Sequence, residues 1–288
     1  MRQDDGDEGP LFPSKSDRPK HWVPAFAGMN GRDRLTGTDY ADPMSAFIDK
    51  MRRRAGRYFD VRPVEIAPER GVFSLSFDDI PRTAWTEAGP ILAEHGILAT
   101  YYVCGGLSDG SNMDLPQFST EDLLELHDAG HEVGCHTYEH VSTLTLSPAE
   151  LDASFARNAA WVGERLDDYV MRTFAYPFGD ASLGSKAVVD SRFLCGRGVR
   201  DGINAGKADR AALQAIGLES RRLPGYDLEA MMAKTAEDRG WLIAYGHDVM
   251  DRPTPYGCTP DDLDRVIRLA KAADLEILPV AAAWERVR

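Results

Sequence analysis

The sequence VFSLSFDD, residues 72–79, is an apolar strand-like run that ends in two aspartates. Three further polar clusters follow strand-like runs along the chain. They are His136-Thr137-Tyr138-Glu139-His140, Tyr176-Pro177-Phe178-Gly179 and Tyr245-Gly246-His247-Asp248. In a parallel α/β barrel the carboxyl ends of the strands form the catalytic face. The pattern therefore predicts that side chains from four distant parts of the sequence meet in one cleft.

Strand-like and helix-like stretches alternate from residue 69 to the carboxyl terminus, which is typical of a parallel sheet with crossover helices. Seven strands are predicted, near residues 72–77, 99–103, 132–135, 173–176, 193–197, 241–245 and 276–280. They favour an α/β fold, a distorted (β/α) barrel of seven to eight strands in a single domain. An open doubly wound sheet gives the same alternation, so periodicity alone leaves that alternative open.

The composition limits the kinds of partner that the protein is expected to bind. The chain has 288 residues, 43% of them apolar, and a formal net charge of -13. Nucleic acid is not expected as a partner, because phosphate backbones are held by clusters of Lys and Arg. The four cysteines show no Cys-x-x-Cys spacing, so neither a disulfide framework nor a thiolate zinc site is predicted. A cytoplasmic location is expected, since the sequence shows no long apolar run and no secretory signal at its amino terminus.

The amino-terminal part divides into two segments before the barrel, which takes residues 69–288. Residues 1–43 are rich in Asp, Gly, Pro and Arg and predict a disordered extension, with Met29 or Met44 as alternative starts. Residues 44–68 predict an amphipathic helix and a linker. The basic residues of this helix suit an anionic membrane surface, and peripheral membrane contact is one interpretation. A solvated helix face packed beside the barrel is the other.

Two histidines and two aspartates predict a metal site. His136 and His140 are four residues apart, on one face if the segment turns helically, and imidazoles at this spacing share metal ions. Asp79 is the natural third ligand, and such a set leaves positions open for water and substrate. Asp78 points in a different direction from its neighbour and suits a general base. A backbone N–H beside Pro177 is a candidate oxyanion donor, and His247 is a candidate general acid.

Taken in order, the four clusters resemble those of the polysaccharide deacetylases of carbohydrate esterase family 4, the NodB-homology domain, over roughly residues 70–283. The resemblance implies that Asp78 is the catalytic base and that Asp79, His136 and His140 bind a divalent metal, with zinc the first choice. It also implies that the N–H of Phe178 stabilises the oxyanion and that His247 is the general acid.

Two departures from the family pattern stand out. The third motif usually has an arginine two residues before its proline, which orients the catalytic aspartate. This chain has Ala175 there, and Arg197 and Arg200 are the candidates to replace the arginine. The fourth motif, an Asp and a Trp that tune the acid histidine, has no clear counterpart. Asp201 and Asp227 are the candidates for its aspartate.

The resemblance implies removal of N-acetyl groups from a glycan that contains N-acetylglucosamine, or from its lipid-linked precursor, in exopolysaccharide or holdfast-type adhesin assembly. An O-acetyl esterase, another amide hydrolase on the same barrel and a non-catalytic glycan-binding module are alternatives. The residues alone also permit a zinc peptidase with Glu139 as base or an Fe(II) oxygenase. The peptidase needs its motif inside a helix, and the oxygenase does not explain Asp78, the Pro-Phe-Gly turn or His247.

Overall fold

The computed structural model of the protein describes residues 43–288. The predicted extension over residues 1–43, including Met29, lies outside these residues except for Pro43, the first residue of a helix. The helices are α1 (Pro43–Tyr58), α2 (Thr83–Thr86), α3 (Ala88–His95), α4 (Thr120–Asp128), α5 (Pro148–Gly163), α6 (Leu183–Arg192), α7 (Leu228–Glu237), α8 (Pro260–Ala272) and α9 (Val280–Val287). Within residues 43–288, no helix combines the length and the apolar character that crossing a bilayer requires.

The strands include all seven that the sequence predicts. They are β1 (Pro63–Ile66), β2 (Val72–Asp78), β3 (Thr100–Val103), β4 (Ser111–Asn112), β5 (Leu115–Pro116), β6 (Glu132–Cys135), β7 (Thr173–Ala175), β8 (Cys195–Arg197), β9 (Gly206–Asp209), β10 (Ile216–Gly217), β11 (Trp241–Gly246) and β12 (Glu276–Ile277). The last is shorter than predicted, because the chain turns into α9 at Val280. The short strands β1, β4, β5, β9 and β10 were not predicted.

The main sheet is a curled parallel sheet in the order β10-β11-β2-β3-β6-β7-β8, with β12 pairing beside β2. Its edges approach each other through one segment, because Leu213 forms a parallel bridge with Arg197 of β8 and Ile216 pairs with Ala244 of β11. The predicted distorted α/β barrel is thus confirmed. Two-stranded antiparallel pairs, β1 with β9 and β4 with β5, lie outside this sheet.

The alternation of side chains along β2 carries the first aspartate to the inside of the curled sheet. Phe73, Leu75 and Phe77 belong to the main apolar core, which the surrounding helices share. Ser74 and Ser76 point the other way. The hydroxyl of Ser76 donates to the carbonyl of Ala244 on β11 (3.1 Å), so these inward positions hold the strands together by polar contacts. Asp78 is the next inward position, at the carboxyl end.

Glu132 connects four elements at the opposite, amino-terminal end of the strands. Its buried carboxylate accepts hydrogen bonds from the hydroxyls of Thr100 (2.8 Å) on β3 and Thr173 (2.6 Å) on β7. It also accepts from the backbone N–H of Ala281 (2.8 Å), in the first turn of α9. This residue therefore joins three strands to the carboxyl-terminal helix.

Replacement of Glu132 by Ala is expected to lower the free energy of unfolding by about 3 kcal/mol, because it removes the acceptor of three buried donors. The measurement is urea unfolding followed by tryptophan fluorescence. Glu276→Ala is the matched control, since Glu276 pairs with Arg286 at the surface, and such pairs contribute less than about 1 kcal/mol. Equal losses in the two variants would contradict this role for Glu132.

Candidate active site

The four polar clusters lie together at the carboxyl ends of β2, β6, β7 and β11, as the sequence predicts. After β2, β6 and β7 the chain passes through residues that have positive φ although none is glycine. Asp79 (61°), Thr137 (64°), His140 (50°) and Phe178 (59°) are of this kind. Each such conformation costs about 1 kcal/mol or more, and such residues concentrate at functional sites. The backbone here is shaped to aim side chains into the cleft.

Asp79, His136 and His140 form a compact group of potential metal ligands. The Oδ1 atom of Asp79 lies 3.0 Å from Nε2 of His140 and 3.4 Å from Nε2 of His136. One ligand atom from each of the three residues falls within 4.8 Å of the others. The three predicted ligands are therefore brought together, by β2 and by the loop after β6.

The two histidines meet through a loop and not through a helix. Residues 136–140 are non-helical, and the left-handed conformations of Thr137 and His140 bring the two rings to a centroid distance of 5.3 Å. The helical face considered from the four-residue spacing is therefore wrong. The zinc peptidase alternative fails with it, because the Glu139 carboxylate accepts hydrogen bonds from the Ser154 hydroxyl (2.5 Å) and from Arg157.

Hydrogen bonds around this group orient its ligand atoms. Nδ1 of His136 lies 2.8 Å from the carbonyl oxygen of Ala175, and because a carbonyl only accepts, this nitrogen carries the proton. The lone pair of its Nε2 is therefore free to face Asp79. Asn112 donates to Oδ2 of Asp79 (3.3 Å), whereas the buried Oδ1 has no hydrogen-bond partner among residues 43–288. An orphaned carboxylate oxygen beside imidazole nitrogens fits a divalent cation.

The electrostatics of the three residues also suit a cation. Burial lowers the pKa of His136 to about 3 and that of His140 to about 4, so both rings are neutral at neutral pH. Burial is also the main cause that raises the pKa of Asp79 to about 7, and the charge of Asp78 acts in the same direction. A positive charge placed among the three groups would relieve the cost of burying this carboxylate.

Asp78 is compensated by a different partner. The guanidinium of Arg197 donates to its carboxylate, and Arg197 is fully buried. This guanidinium lies 5.2 Å from the ring centre of Tyr102 and 4.7 Å from that of Tyr245. Burial by itself would raise the pKa of Asp78, but the charge of Arg197 is the main cause that holds the pKa below its usual value, and the hydrogen bond of Arg197 acts in the same direction. Asp78 is therefore ionised at neutral pH.

Arg197 takes the place of the arginine that is missing at residue 175. Ala175 of β7 and Arg197 of β8 are paired in the parallel register, so the two residues sit side by side across the sheet. Arg197 thus reaches Asp78 from the adjacent strand. Asp78 is the aspartate that an arginine at residue 175 would be expected to contact. Arg200, the other candidate, is exposed.

The Tyr176–Gly179 segment forms a tight turn beside the metal-ligand group, which is the set of candidate ligands Asp79, His136 and His140. The N–H groups of Gly179 and Asp180 close it onto the carbonyls of Tyr176 (2.9 Å) and Pro177 (3.1 Å). The N–H of Phe178 takes no part in these two bonds. Gly179 has a φ of +66°, and a Cβ there would lie 2.0 Å from the side chain of Val199, so only glycine fits. The structure therefore supports a fixed turn with Phe178 at its tip.

His247 lies in the same cleft, which has a volume of about 290 Å³ and is also lined by Asp78, Tyr245 and Tyr256. The buried Nδ1 of His247 has no hydrogen-bond partner among the described residues. Its ring centroid lies 5.8 Å from that of Tyr256.

The candidates for the fourth motif have other partners. Asp201 accepts hydrogen bonds from Arg222 (2.8 Å) and from the hydroxyl of Tyr226 (2.9 Å). Asp227 accepts from the N–H of Ala230 and caps α7. Besides Asp78 and Asp79, the buried carboxylate of Glu219 lines the cleft, and it pairs with Arg222 at 3.3 Å. Sequence reasoning missed it, although the apolar run before it was a usable signal.

Comparison with known proteins agrees with the resemblance. Residues 65–191 match the family model described as polysaccharide deacetylase. A chitin deacetylase of Colletotrichum lindemuthianum is 29% identical over 126 residues, which cover 42% of this chain and 48% of that protein. A chitin deacetylase of a Pestalotiopsis species is 29% identical over 85 residues, covering 30% of this chain and 27% of that protein. The matches thus span half or less of the length of these curated relatives.

Solved structures with the same fold include a family 4 acetyl xylan esterase from Clostridium thermocellum in complex with a cobalt ion. Its TM-score is 0.50 at 22% identity, with 74% of this chain and 90% of that chain covered. A mutant of a CE4 family pseudoenzyme from Bacillus anthracis has a TM-score of 0.52 at 15% identity, with 81% and 74% covered. The family match thus covers residues 65–191, less than half of the chain, and the solved structures share the fold of the chain.

Proposed function

We propose that the protein is a metal-dependent hydrolase that removes N-acetyl groups from N-acetylglucosamine residues of a polysaccharide or of its lipid-linked precursor. The observation that carries the proposal is the division of the two adjacent aspartates. Asp78 is ionised and held by Arg197, whereas Asp79 faces two neutral histidines. A general base and a set of three metal ligands thus share one cleft. The family match supports a glycan as the substrate.

The proposed metal is zinc, because two imidazoles and one carboxylate form a typical donor set of catalytic zinc sites. Bound by Asp79, His136 and His140, a divalent ion supplies a water of lowered pKa and polarises the acyl carbonyl. The chain fixes the orientation of the ligands through the Ala175 carbonyl and Asn112. The cobalt in the Clostridium thermocellum structure belongs to that protein. It is compatible with this choice of a divalent ion.

In the proposed mechanism, Asp78 accepts a proton from the attacking water. Arg197 holds the carboxylate in place and keeps it ionised, so the base is ready at neutral pH. The N–H of Phe178, at the tip of a rigid turn, donates to the oxygen that becomes negative in the transition state. A donor of this type contributes about 3 kcal/mol. His247 then gives a proton to the departing sugar amine, and acetate leaves.

The proposed setting is the assembly of a bacterial exopolysaccharide or holdfast-type adhesin, on the cytoplasmic side of the inner membrane. Deacetylation there would leave free amines that add positive charge to the glycan. The cytoplasmic location stays a prediction from the sequence.

An O-acetyl esterase is the second candidate. It is favoured because the proposed metal ligands, base and oxyanion donor would serve an ester as well as an amide. The fold does not distinguish an O-acetyl esterase from an N-deacetylase, since an acetyl xylan esterase and a pseudoenzyme both share it. A departing alkoxide needs a proton less than a departing amine does, so dependence on His247 separates the two reactions.

We expect the purified protein to release acetate from N-acetylglucosamine oligomers with zinc and to lose this activity with a chelator. Asp78→Asn should lower the rate by about 100-fold or more, because the amide cannot accept the proton. The measurement is enzymatic quantification of acetate, with Glu276→Gln as a surface control. Release that survives both chelation and the Asp78 substitution would exclude the proposed mechanism.

Arg197→Ala is expected to reduce kcat by about tenfold or more, because the buried Asp78 loses its counter-charge and its pKa rises. Arg197→Lys should recover part of the loss, since it restores the charge but not the planar guanidinium. Arg200→Ala is the matched control, from an exposed arginine three residues away. Steady-state kinetics on the same oligomers measure the effect. If Arg197→Ala and Arg200→Ala behave alike, Arg197 does not position the base.

A further inference from the structure

One face of α1 is exposed and apolar. Phe47, Ile48 and Met51 lie on one side of the helix, at the i, i+1 and i+4 spacing, and are 59%, 42% and 51% exposed. Tyr58, 63% exposed, extends the same face by two turns. Scattered exposed apolar residues are ordinary, but a contiguous patch of large ones marks an interaction site.

Basic residues flank this apolar face. At 100° per residue, Arg52 falls on one side of Met51 and its neighbours, while Lys50 and Arg54 fall on the other. All three are exposed. The sequence of α1 contains five basic residues and one acidic residue, in a chain whose formal net charge is -13. An apolar stripe between two basic margins is the pattern of a helix that lies in the interface of an anionic membrane.

The inward side of α1 is fixed to the barrel, which sets the direction of the exposed face. A Cβ on Gly56 would lie 1.9 Å from the carbonyl oxygen of Ala181, so the helix backbone touches the loop before α6. Arg53 donates to both carboxylate oxygens of Asp180, at 2.5 and 3.1 Å. These contacts lie on the side of α1 away from Phe47 and Met51, so the apolar face is presented outward.

The anchored side of α1 adjoins the active-site cleft. A small cavity between the helix and the barrel is lined by Arg53, Arg57, Gly179 and Val199. Gly179 and Val199 also line the cleft that holds the metal-ligand group. Asp180, the partner of Arg53, comes two residues after Phe178. The helix therefore packs against the outer wall of the cleft.

We propose that α1 docks the protein on an anionic phospholipid surface, with Phe47, Ile48 and Met51 inserted below the headgroups. Lys50, Arg52 and Arg54 contact the headgroup phosphates, and this charge selects anionic lipids over zwitterionic ones. A second copy of the chain is a poor occupant of this face, because paired α1 helices would bring their basic margins together. The inference rests on the proposed function for one point only, that the cleft beside the surface would receive a glycan carried on a lipid.

The test is flotation of the full-length protein with vesicles of phosphatidylglycerol and phosphatidylcholine, compared with vesicles of phosphatidylcholine alone. Binding is expected only to the anionic vesicles and is expected to weaken as salt is raised. Met51→Asp should lower the partition coefficient by about tenfold or more, because it places a charge in the apolar face. Arg54→Glu should lower it by a similar factor through the lost attraction.

Val170→Asp is the matched control. Val170 is 74% exposed in the loop before β7, at the opposite end of this strand from the cleft, so the substitution introduces the same charge elsewhere. Thermal unfolding of each variant reports folding without reference to activity, which keeps this test independent of the proposed deacetylation. Absence of binding to anionic vesicles would overturn the inference. So would binding that Met51→Asp leaves intact, or dimerisation through α1 in place of vesicle binding.

Discussion

Two adjacent carboxylates, Asp78 and Asp79, are buried at the end of β2, and the rest of the site depends on how their charges are compensated. Burying one carboxylate without a partner is costly, and a like charge beside it increases the cost. Neighbouring residues at a strand end point in different directions, so the two cannot share a single partner. Asp78 therefore takes a fixed guanidinium, and Asp79 turns to two neutral imidazoles that together can hold a cation. Strand geometry thus separates the candidate base from the candidate metal ligand.

The fold and most of the site could be predicted, because their signals are local. Each strand-like run is followed directly by its polar cluster, and parallel strands bring their carboxyl ends to one edge. No local signal in the sequence identifies the residue that pairs with Asp78. Arg197 is 119 residues away, on a strand of three residues whose register against β7 is set by packing. The sequence reduced the choice to Arg197 or Arg200, and only the three-dimensional register decides it.

Residue 175 shows how a motif can lose its side chain and keep its backbone role. The methyl group of Ala175 cannot reach Asp78, and Arg197 occupies that role from the neighbouring strand. The carbonyl of Ala175 still accepts the proton of His136 and so orients a candidate metal ligand. A backbone acceptor does not depend on the residue type. This explains how the sequence can depart from the family pattern here while the site keeps its geometry.

Other residues of the site could not be predicted from the sequence, for a similar reason. Asn112 reaches Asp79 from β4, a strand of two residues that has no periodicity to recognise. Glu219 enters the cleft after β10, which is equally short. The loop conformation of His136 and His140 depends on left-handed residues that are not glycine, which the residue types do not predict. Helix α1, in contrast, follows from its local spacing of apolar residues, and it begins at Pro43, one residue before the predicted segment.

The most direct test of the division between the two aspartates is the zinc content per chain of Asp78→Asn and Asp79→Asn, measured by inductively coupled plasma mass spectrometry after dialysis. We expect Asp79→Asn to lose the metal, whereas Asp78→Asn retains one zinc per chain. Zinc retained by Asp79→Asn, or lost equally from both variants, would contradict the assignment of ligand and base.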